Sequence, residues 1–136
     1  ITDRQTTILN ALYDAEIRYL DDQLRLFDKF LRTEGVRDET VFVVVSDHGD
    51  FFGKHGLWGH QGRVYNDVCH VPLIIDYPWA SGTVEEGVTE LRQLCSHLQA
   101  VADGVDESLV PNGEALVEYY GDGLDVVARE RERFQQ

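Results

Sequence analysis

The stretch VFVVVSDHGDFFGKHGLWGH, residues 41–60, joins an apolar run to a loop rich in glycine, histidine and aspartate. The run consists of β-branched and aromatic residues, a composition typical of a strand that is covered on both faces. In open α/β sheets, ligands bind beyond the carboxyl ends of the strands, because the loops diverge there. The stretch therefore predicts a buried strand whose end presents Asp47 and His48 to a ligand.

A long amphipathic helix is predicted before this strand, since apolar residues recur at helical spacing from Thr6 to Leu31 and Gly35 supplies a stop. On its charged, solvated face three aspartates precede arginines by one turn: Asp14–Arg18, Asp21–Arg25 and Asp28–Arg32. A second apolar run at 70–76 predicts another strand, and Pro72 marks its start as a sheet edge or a strand end. This order of elements predicts an α/β layered domain with a central mixed or parallel sheet flanked by helices.

The remainder of the chain carries weaker signals. Residues 84–88 are predicted to form a short strand, and a helical stripe that begins at Leu91 is expected to stop near Gly104. Residues 114–120 are predicted to form a short helix, and residues 121–136 a charged terminal helix that frays.

The charge balance excludes two classes of partner. With 25 acidic and 12 basic residues the formal net charge is -13, which repels phosphate backbones and anionic lipids, so neither nucleic acid nor a membrane surface is an expected partner. No apolar run approaches the ~20 residues of a membrane span. The acidic composition fits either a halophilic, salt-adapted surface or an ordinary acidic protein.

The sequence contains no methionine and begins with Ile1. We therefore expect the chain to be a processed form or a fragment whose upstream part is missing. No charged segment followed by an apolar run opens it, and the compartment is left open, with the cytoplasm slightly favoured.

Asp47 and His48 are candidate metal ligands because of their own chemistry. A carboxylate and an imidazole on neighbouring residues both reach one divalent cation when the backbone turns sharply, and Gly49 supplies the conformational freedom for such a turn. One or two further ligands are expected from elsewhere in the fold. The alternative is a plain strand-to-loop turn in which Asp47 bonds to nearby backbone and His48 is only exposed.

Five short motifs follow one another in this chain: YDAEI in the helix, SDHGD after the strand, HGLWGH in the loop, a helix turn at Tyr65, and VPLII in the next strand. Each motif is weak alone, but their order and spacing across residues 11–76 resemble the sulfatase family of the alkaline-phosphatase superfamily. The resemblance implies a single partial sulfatase-like domain over 1–136. Residues 77–120 are then a drifted continuation, and 121–136 the terminal helix.

The resemblance also implies roles for residues of the loop. Asp47 and His48 match the family's neighbouring metal ligands, and a histidine at the second position favours manganese or zinc over calcium. His60 occupies the place of a lysine that contacts the sulfate or the leaving oxygen, which implies a catalytic oxyanion donor or general acid. His55 and Lys54 are candidate substrate-binding residues, with loop packing for His55 and a solvated side chain for Lys54 as alternatives.

The family's nucleophile is absent from this sequence. The resemblance implies a Cys- or Ser-x-Pro-x-Arg motif, whose cysteine is oxidised to formylglycine, and two further aspartates on the metal. Cys69 and Cys95 lack the following Pro and Arg, and their apolar contexts predict core thiols instead. The implied function is a fragment of a metal-dependent sulfuric-ester hydrolase, inactive alone, whose intact form takes a sulfate ester or a related small anionic substrate. Two alternatives stay open, namely a non-catalytic acidic α/β scaffold and a phosphoryl or phosphonate ester hydrolase of the same superfamily.

Overall fold

The computed structural model describes residues 1–60, 64–113 and 115, and it is mixed α/β, as predicted. The chain divides into two units. The first holds helices α1 (Asp3–Thr33) and α2 (Asn66–Cys69) together with four short strands, and the second holds helix α3 (Leu91–Ala102). The single-domain organisation stays a prediction.

Helix α1 begins slightly earlier than the apolar pattern predicts, because a capping box fixes its first turn. Gln5 N donates to Thr2 Oγ1 at 3.3 Å, and Thr2 N donates to Gln5 Oε1 at 2.8 Å. The helix ends before Gly35, whose φ of 73° places it in the left-handed region that favours glycine. Two of the predicted ion pairs form, at 2.7 Å and 2.8 Å, whereas the third arginine lies 3.8 Å from an aspartate one turn downstream: Asp21–Arg25, Asp28–Arg32 and Arg18–Asp22.

Strands β1 (Phe42–Val45) and β4 (Leu73–Asp76) pair antiparallel, with Phe42 opposite Asp76 and Val45 opposite Leu73. Pro72 precedes β4, as predicted for a residue that cannot donate to a ladder. The described residues between the two strands form short strands and the four-residue helix α2, whereas a parallel pair is usually joined by a crossover α-helix. Within the described part of the chain, the expected mixed or parallel sheet is therefore represented by antiparallel pairs alone.

The prediction that β1 is buried on both faces is wrong for the chain as described. Its first three residues are half-buried and Val45 is 41% exposed, while Ile74 on β4 is 60% exposed. The two strands form a two-stranded sheet, and two strands expose more apolar surface than a wider layered sheet does.

A second antiparallel pair, β2 (Phe51–Phe52) and β3 (Trp58–Gly59), lies inside the loop that follows β1. Its turn includes Gly53 at φ 86° and His55 at φ 57°. Phe51 is 1% exposed and is the most deeply buried large side chain among the described residues. The loop thus has a small core of its own.

The second unit confirms one predicted element and corrects two expectations. Helix α3 ends just before Gly104, as expected. The strand predicted at 84–88 is wrong: these residues form no strand, and Val88 O instead accepts a single long-range hydrogen bond from Gly113 N at 3.1 Å. Cys95 is exposed, so its prediction as a core thiol is also wrong.

Two predicted helices, at 114–120 and 121–136, lie outside the described residues except for residue 115. Among the described residues, no helix combines the length and apolar character that crossing a membrane requires.

Candidate functional site

The end of β1 turns through short-range hydrogen bonds. Ser46 Oγ donates to His48 O at 2.7 Å, and Asp47 Oδ1 accepts the His48 backbone N–H at 2.9 Å. The geometry is consistent with both interpretations of the sequence, a plain turn and a pair of metal ligands. The Asp47 carboxylate closes a local turn and also lies 3.9 Å from His48 Nε2. Ligands of one tetrahedral ion with bonds of about 2.1 Å lie about 3.4 Å apart, so a movement of about 0.5 Å would bring both side chains to a shared cation. The ligand roles of Asp47 and His48 stay predictions.

Gly49 is required for a different reason than the sequence suggests. Its N–H donates to Val68 O at 2.8 Å, and a Cβ built on it would lie 2.2 Å from the carbonyl oxygen of Asp67. Backbone cannot approach backbone so closely past a side chain. The residue therefore allows the loop to dock against helix α2, rather than supplying a left-handed turn.

Two further side chains converge on His48 beside this turn: His48, Asp50 and His60 each offer a ligand atom, and these atoms all lie within 4.8 Å of one another. His60 Nδ1 is 3.1 Å from Asp50 Oδ1, and the rings of His48 and His60 are 4.1 Å apart between centroids. The structure thus brings the predicted catalytic residue His60 to the predicted metal ligand His48. Sequence reasoning missed Asp50, although it stands in the same SDHGD motif.

The donor set at this position fits a divalent transition metal. Two imidazoles with a carboxylate suit zinc or manganese, whereas calcium prefers oxygen ligands throughout. The side chain of Asp50 is 29% exposed and that of His60 is 58% exposed, so an ion from solvent reaches both.

Lys54 and His55, the predicted substrate-binding residues, are both brought to Asp67. Lys54 Nζ donates to Asp67 Oδ1 at 2.7 Å, and His55 Nε2 lies 3.6 Å from Asp67 Oδ2. The hydrogen bond from Lys54 holds the pKa of Asp67 below its ordinary value of 3.8. His55 also stacks on Tyr65, with ring centroids 4.2 Å apart. These contacts fasten the loop to α2, and a role in substrate binding stays a prediction.

Phe51 forms the apolar centre of this fastening. Its ring meets the rings of His55 and Tyr65 edge-on, at centroid distances of 6.3 Å and 5.9 Å. Edge-to-face contacts of this kind add to the stabilisation from burial. The side chains that hold the loop are thus distinct from those that converge at His48.

The comparisons with known proteins assign the chain to a family. The matching family model is that of the sulfatases, and it spans residues 4–104. The chain therefore belongs to the sulfatase family, which implies an alkaline-phosphatase-like fold.

The matches to individual relatives cover a large part of this chain but only a small part of each relative. The chain is 35% identical over 89 residues to an arylsulfatase of Clostridium perfringens, covering 62% of the chain and 18% of that protein. It is 34% identical over 79 residues to a choline-sulfatase of Rhizobium meliloti, covering 57% and 15%. It is also 34% identical over 86 residues to a multifunctional alkaline phosphatase superfamily protein of Trinickia caryophylli, covering 60% and 16%. The chain thus spans less than a fifth of these relatives' length, and no solved structure gives a significant match.

Proposed function

We propose that the chain supplies one half of the active site of a metal-dependent sulfuric-ester hydrolase. The observation that carries the proposal is the position of His48, which lies beside Asp47 at 3.9 Å and beside the ring of His60 at 4.1 Å. In this arrangement a candidate metal ligand pair and a candidate proton donor share one end of β1. Membership of the sulfatase family supports sulfate esters as the substrate class.

Each residue of this half-site has a proposed task. Asp47 and His48 hold a divalent cation, manganese or zinc in preference to calcium because one donor is an imidazole. A cation held by these two residues would supply Lewis-acid chemistry to the ester oxygen. His60, when protonated, donates to the sulfate or to the leaving oxygen. Asp50 accepts the Nδ1–H of His60 at 3.1 Å and so orients the ring.

The chain alone is proposed to be inactive. Its 136 residues contain no Cys- or Ser-x-Pro-x-Arg motif, and a polarised ester does not react without a nucleophile in place. The nucleophile, as formylglycine, and the remaining carboxylate ligands are proposed to come from sequence outside these residues. The small share of each relative that the chain covers supports this division.

A graft tests the proposal directly. Residues 46–60 replace the matching stretch of the Clostridium perfringens arylsulfatase, and hydrolysis of an aryl sulfate is measured with added metal. The folded graft is expected to turn over the ester in a metal-dependent way, with a loss of at least about 100-fold in kcat/KM after Asp47→Ala or His48→Ala within it. A folded, metal-loaded graft with no turnover would contradict the proposal, and so would turnover by the 136-residue chain alone above its His48→Ala control.

A second candidate function is phosphoryl or phosphonate ester hydrolysis at the same site. The similarity to the Trinickia caryophylli protein, which is named as multifunctional within the alkaline phosphatase superfamily, supports it. Testing the same graft with an aryl phosphate and an aryl phosphonate separates the two candidates. A higher kcat/KM for either than for the aryl sulfate favours the second one.

A further inference from the structure

We infer that His48, Asp50 and His60 form a transition-metal site of the chain itself, with a donor set different from the Asp47–His48 pair. Their ligand atoms already lie within 4.8 Å of one another, and the Asp50–His60 pair is at 3.1 Å. Ligands of one tetrahedral zinc ion with bonds of about 2.0–2.2 Å lie about 3.3–3.6 Å apart. Movements of up to about 1.5 Å by side-chain rotation therefore complete the site.

The backbone fixes two of the three donors relative to each other. Strands β2 and β3 pair with Phe51 opposite Gly59 and Phe52 opposite Trp58. Continued by one position, the same antiparallel register places Asp50 opposite His60, which explains why their side chains meet. Because Phe51 is 1% exposed, the hairpin is anchored directly beside this donor pair.

The third donor is oriented by its own neighbour. His48 Nδ1 lies 3.1 Å from Gly49 O, and in the tautomer that donates to this carbonyl the lone pair is on Nε2. Histidines that bind metals commonly donate their other ring N–H to a backbone carbonyl, which fixes the ring and makes it a better ligand. Gly49 is itself held by its bond to Val68 O at 2.8 Å, so this carbonyl is part of a fixed turn.

The chemistry of the set selects the ion. Two imidazoles and one carboxylate leave a position for water on a tetrahedral ion, as in zinc sites with three protein ligands. Calcium, which takes six to eight oxygens, is not served by this set. Asp47 does not belong to the group of three, although its Oδ1 lies 3.9 Å from His48 Nε2, and its side chain is 88% exposed. An ion held by this set in the chain by itself also occupies His60, whereas the donor role proposed for His60 applies to the complete active site, in which Asp47 and the further carboxylates hold the ion.

Calorimetric titration of the 136-residue chain with zinc tests the inference without any activity measurement. One zinc ion per chain is expected, with no calcium binding under the same conditions. Asp50→Asn and His60→Gln are each expected to weaken zinc binding by at least about 10-fold. Two control variants are expected to change it by less than about 3-fold: Asp47→Asn, at the residue directly before His48, and His70→Ala, at an exposed histidine outside the group. Circular dichroism establishes that each variant is folded, and visible absorption of the cobalt-substituted chain reports the donor set if a variant is destabilised.

The outcomes divide cleanly. Loss of zinc binding with Asp50→Asn and His60→Gln, retained with Asp47→Asn, supports the site. Loss with Asp47→Asn alone places the ion on the Asp47–His48 pair and overturns the inference, while leaving the proposed hydrolase function intact. No stoichiometric zinc binding, or equal binding by all variants, also overturns it. Conversely, an inactive graft with retained zinc binding contradicts the proposed function but not this site.

Discussion

The loop between β1 and α2 and the apolar stripe of α1 are both rich in large apolar residues, yet they differ in how those residues are covered. In the loop, Phe51 is 1% exposed, whereas Ile17, Leu20 and Phe27 on α1 are 53%, 54% and 50% exposed. The loop covers its centre with residues that are close in sequence. The helix is fixed locally by its cap and its ion pairs, while much of its apolar face lies open in the described part of the chain.

The difference shows which part of the described structure is stabilised by contacts between residues close in sequence. Short-range contacts, such as the docking of Gly49 on α2 and the bond of Lys54 to Asp67, define the loop around His48. The helical stripe instead requires a large surface to pack against, since burial and not propensity supplies most of the stability of a helix in a protein. Changes in the loop should therefore cost more stability than equal changes on the helix.

The largest expected effect comes from removing the buried ring of the loop. Phe51→Ala is expected to lower the free energy of unfolding by about 3 kcal/mol, because the ring is fully buried and leaves a cavity. Phe27→Ala on α1 is the matched control and should cost about 1 kcal/mol or less, because half of its ring is already in solvent. Urea unfolding measures both. If Phe51→Ala does not fold, Phe51→Leu preserves the ordering, and equal losses at the two sites would contradict the comparison.

A steric change at the loop's docking point is expected to come next. Gly49→Ala places a Cβ 2.2 Å from the carbonyl of Asp67, and relieving that overlap requires a shift of α2, at a cost of about 2 kcal/mol. Gly82→Ala is the control, since a Cβ there meets nothing within 4 Å. Urea unfolding measures both variants. A urea midpoint for Gly49→Ala equal to that of Gly82→Ala would show that the loop is not held against α2.

Arg37 is the point at which α1 is tied to the sheet, and its loss should have a moderate effect. The residue is 8% exposed, and its guanidinium donates to Asp28 at 2.7 Å and to Asp76 and lies over the ring of Phe42 at 5.6 Å. Arg37→Met is expected to cost about 1–2 kcal/mol, because Asp28 and Asp76 remain partly solvated after the cation is lost.

The control for this change is Arg18→Met, whose side chain is 75% exposed and 3.8 Å from its partner. It should cost less than about 0.5 kcal/mol. Chemical denaturation of both variants in parallel decides the matter, and a loss at Arg37 no greater than at Arg18 would remove the tie between α1 and β4.

The smallest expected effect is a dependence of stability on acid pH. Hydrogen bonds from Arg32 and then Arg37 lower the pKa of Asp28, and that from Lys54 lowers the pKa of Asp67, both below the ordinary value of 3.8. A carboxyl with a lowered pKa in the folded state stabilises the fold above pH 3.8 and loses that contribution as the pH falls through the folded-state value.

Unfolding experiments between pH 6 and pH 2.5 measure this slope. Asp67→Asn, or Lys54→Met at the other end of the pair, is expected to make the loss of stability below pH 3.8 shallower than in the parent chain. An unchanged slope in both variants would show that the Lys54–Asp67 pair does not couple to folding.

The sequence predicted the elements whose signals are local. The spacing of α1 and α3, the β-branched runs of β1 and β4, and the clustering of Asp47 and His48 all follow from residues near one another in the chain. The burial of β1 was not predictable in this way, because it depends on how many strands lie beside β1. Asp50 was missed because its contact with His60 depends on the register between β2 and β3, which are two residues long each. Asp67 was missed because its partner Lys54 is 13 residues away.

Uptake of a divalent metal by the loop after β1 is the claim on which both the hydrolase proposal and the three-donor site depend, and His48 is common to the two. Equilibrium dialysis of the parent chain, His48→Ala and His70→Ala against zinc and manganese tests it most directly. The parent chain and His70→Ala are expected to take up one ion per chain, with His48→Ala at least about 10-fold weaker. Equal uptake by His48→Ala and the parent chain would contradict a metal centre at this position.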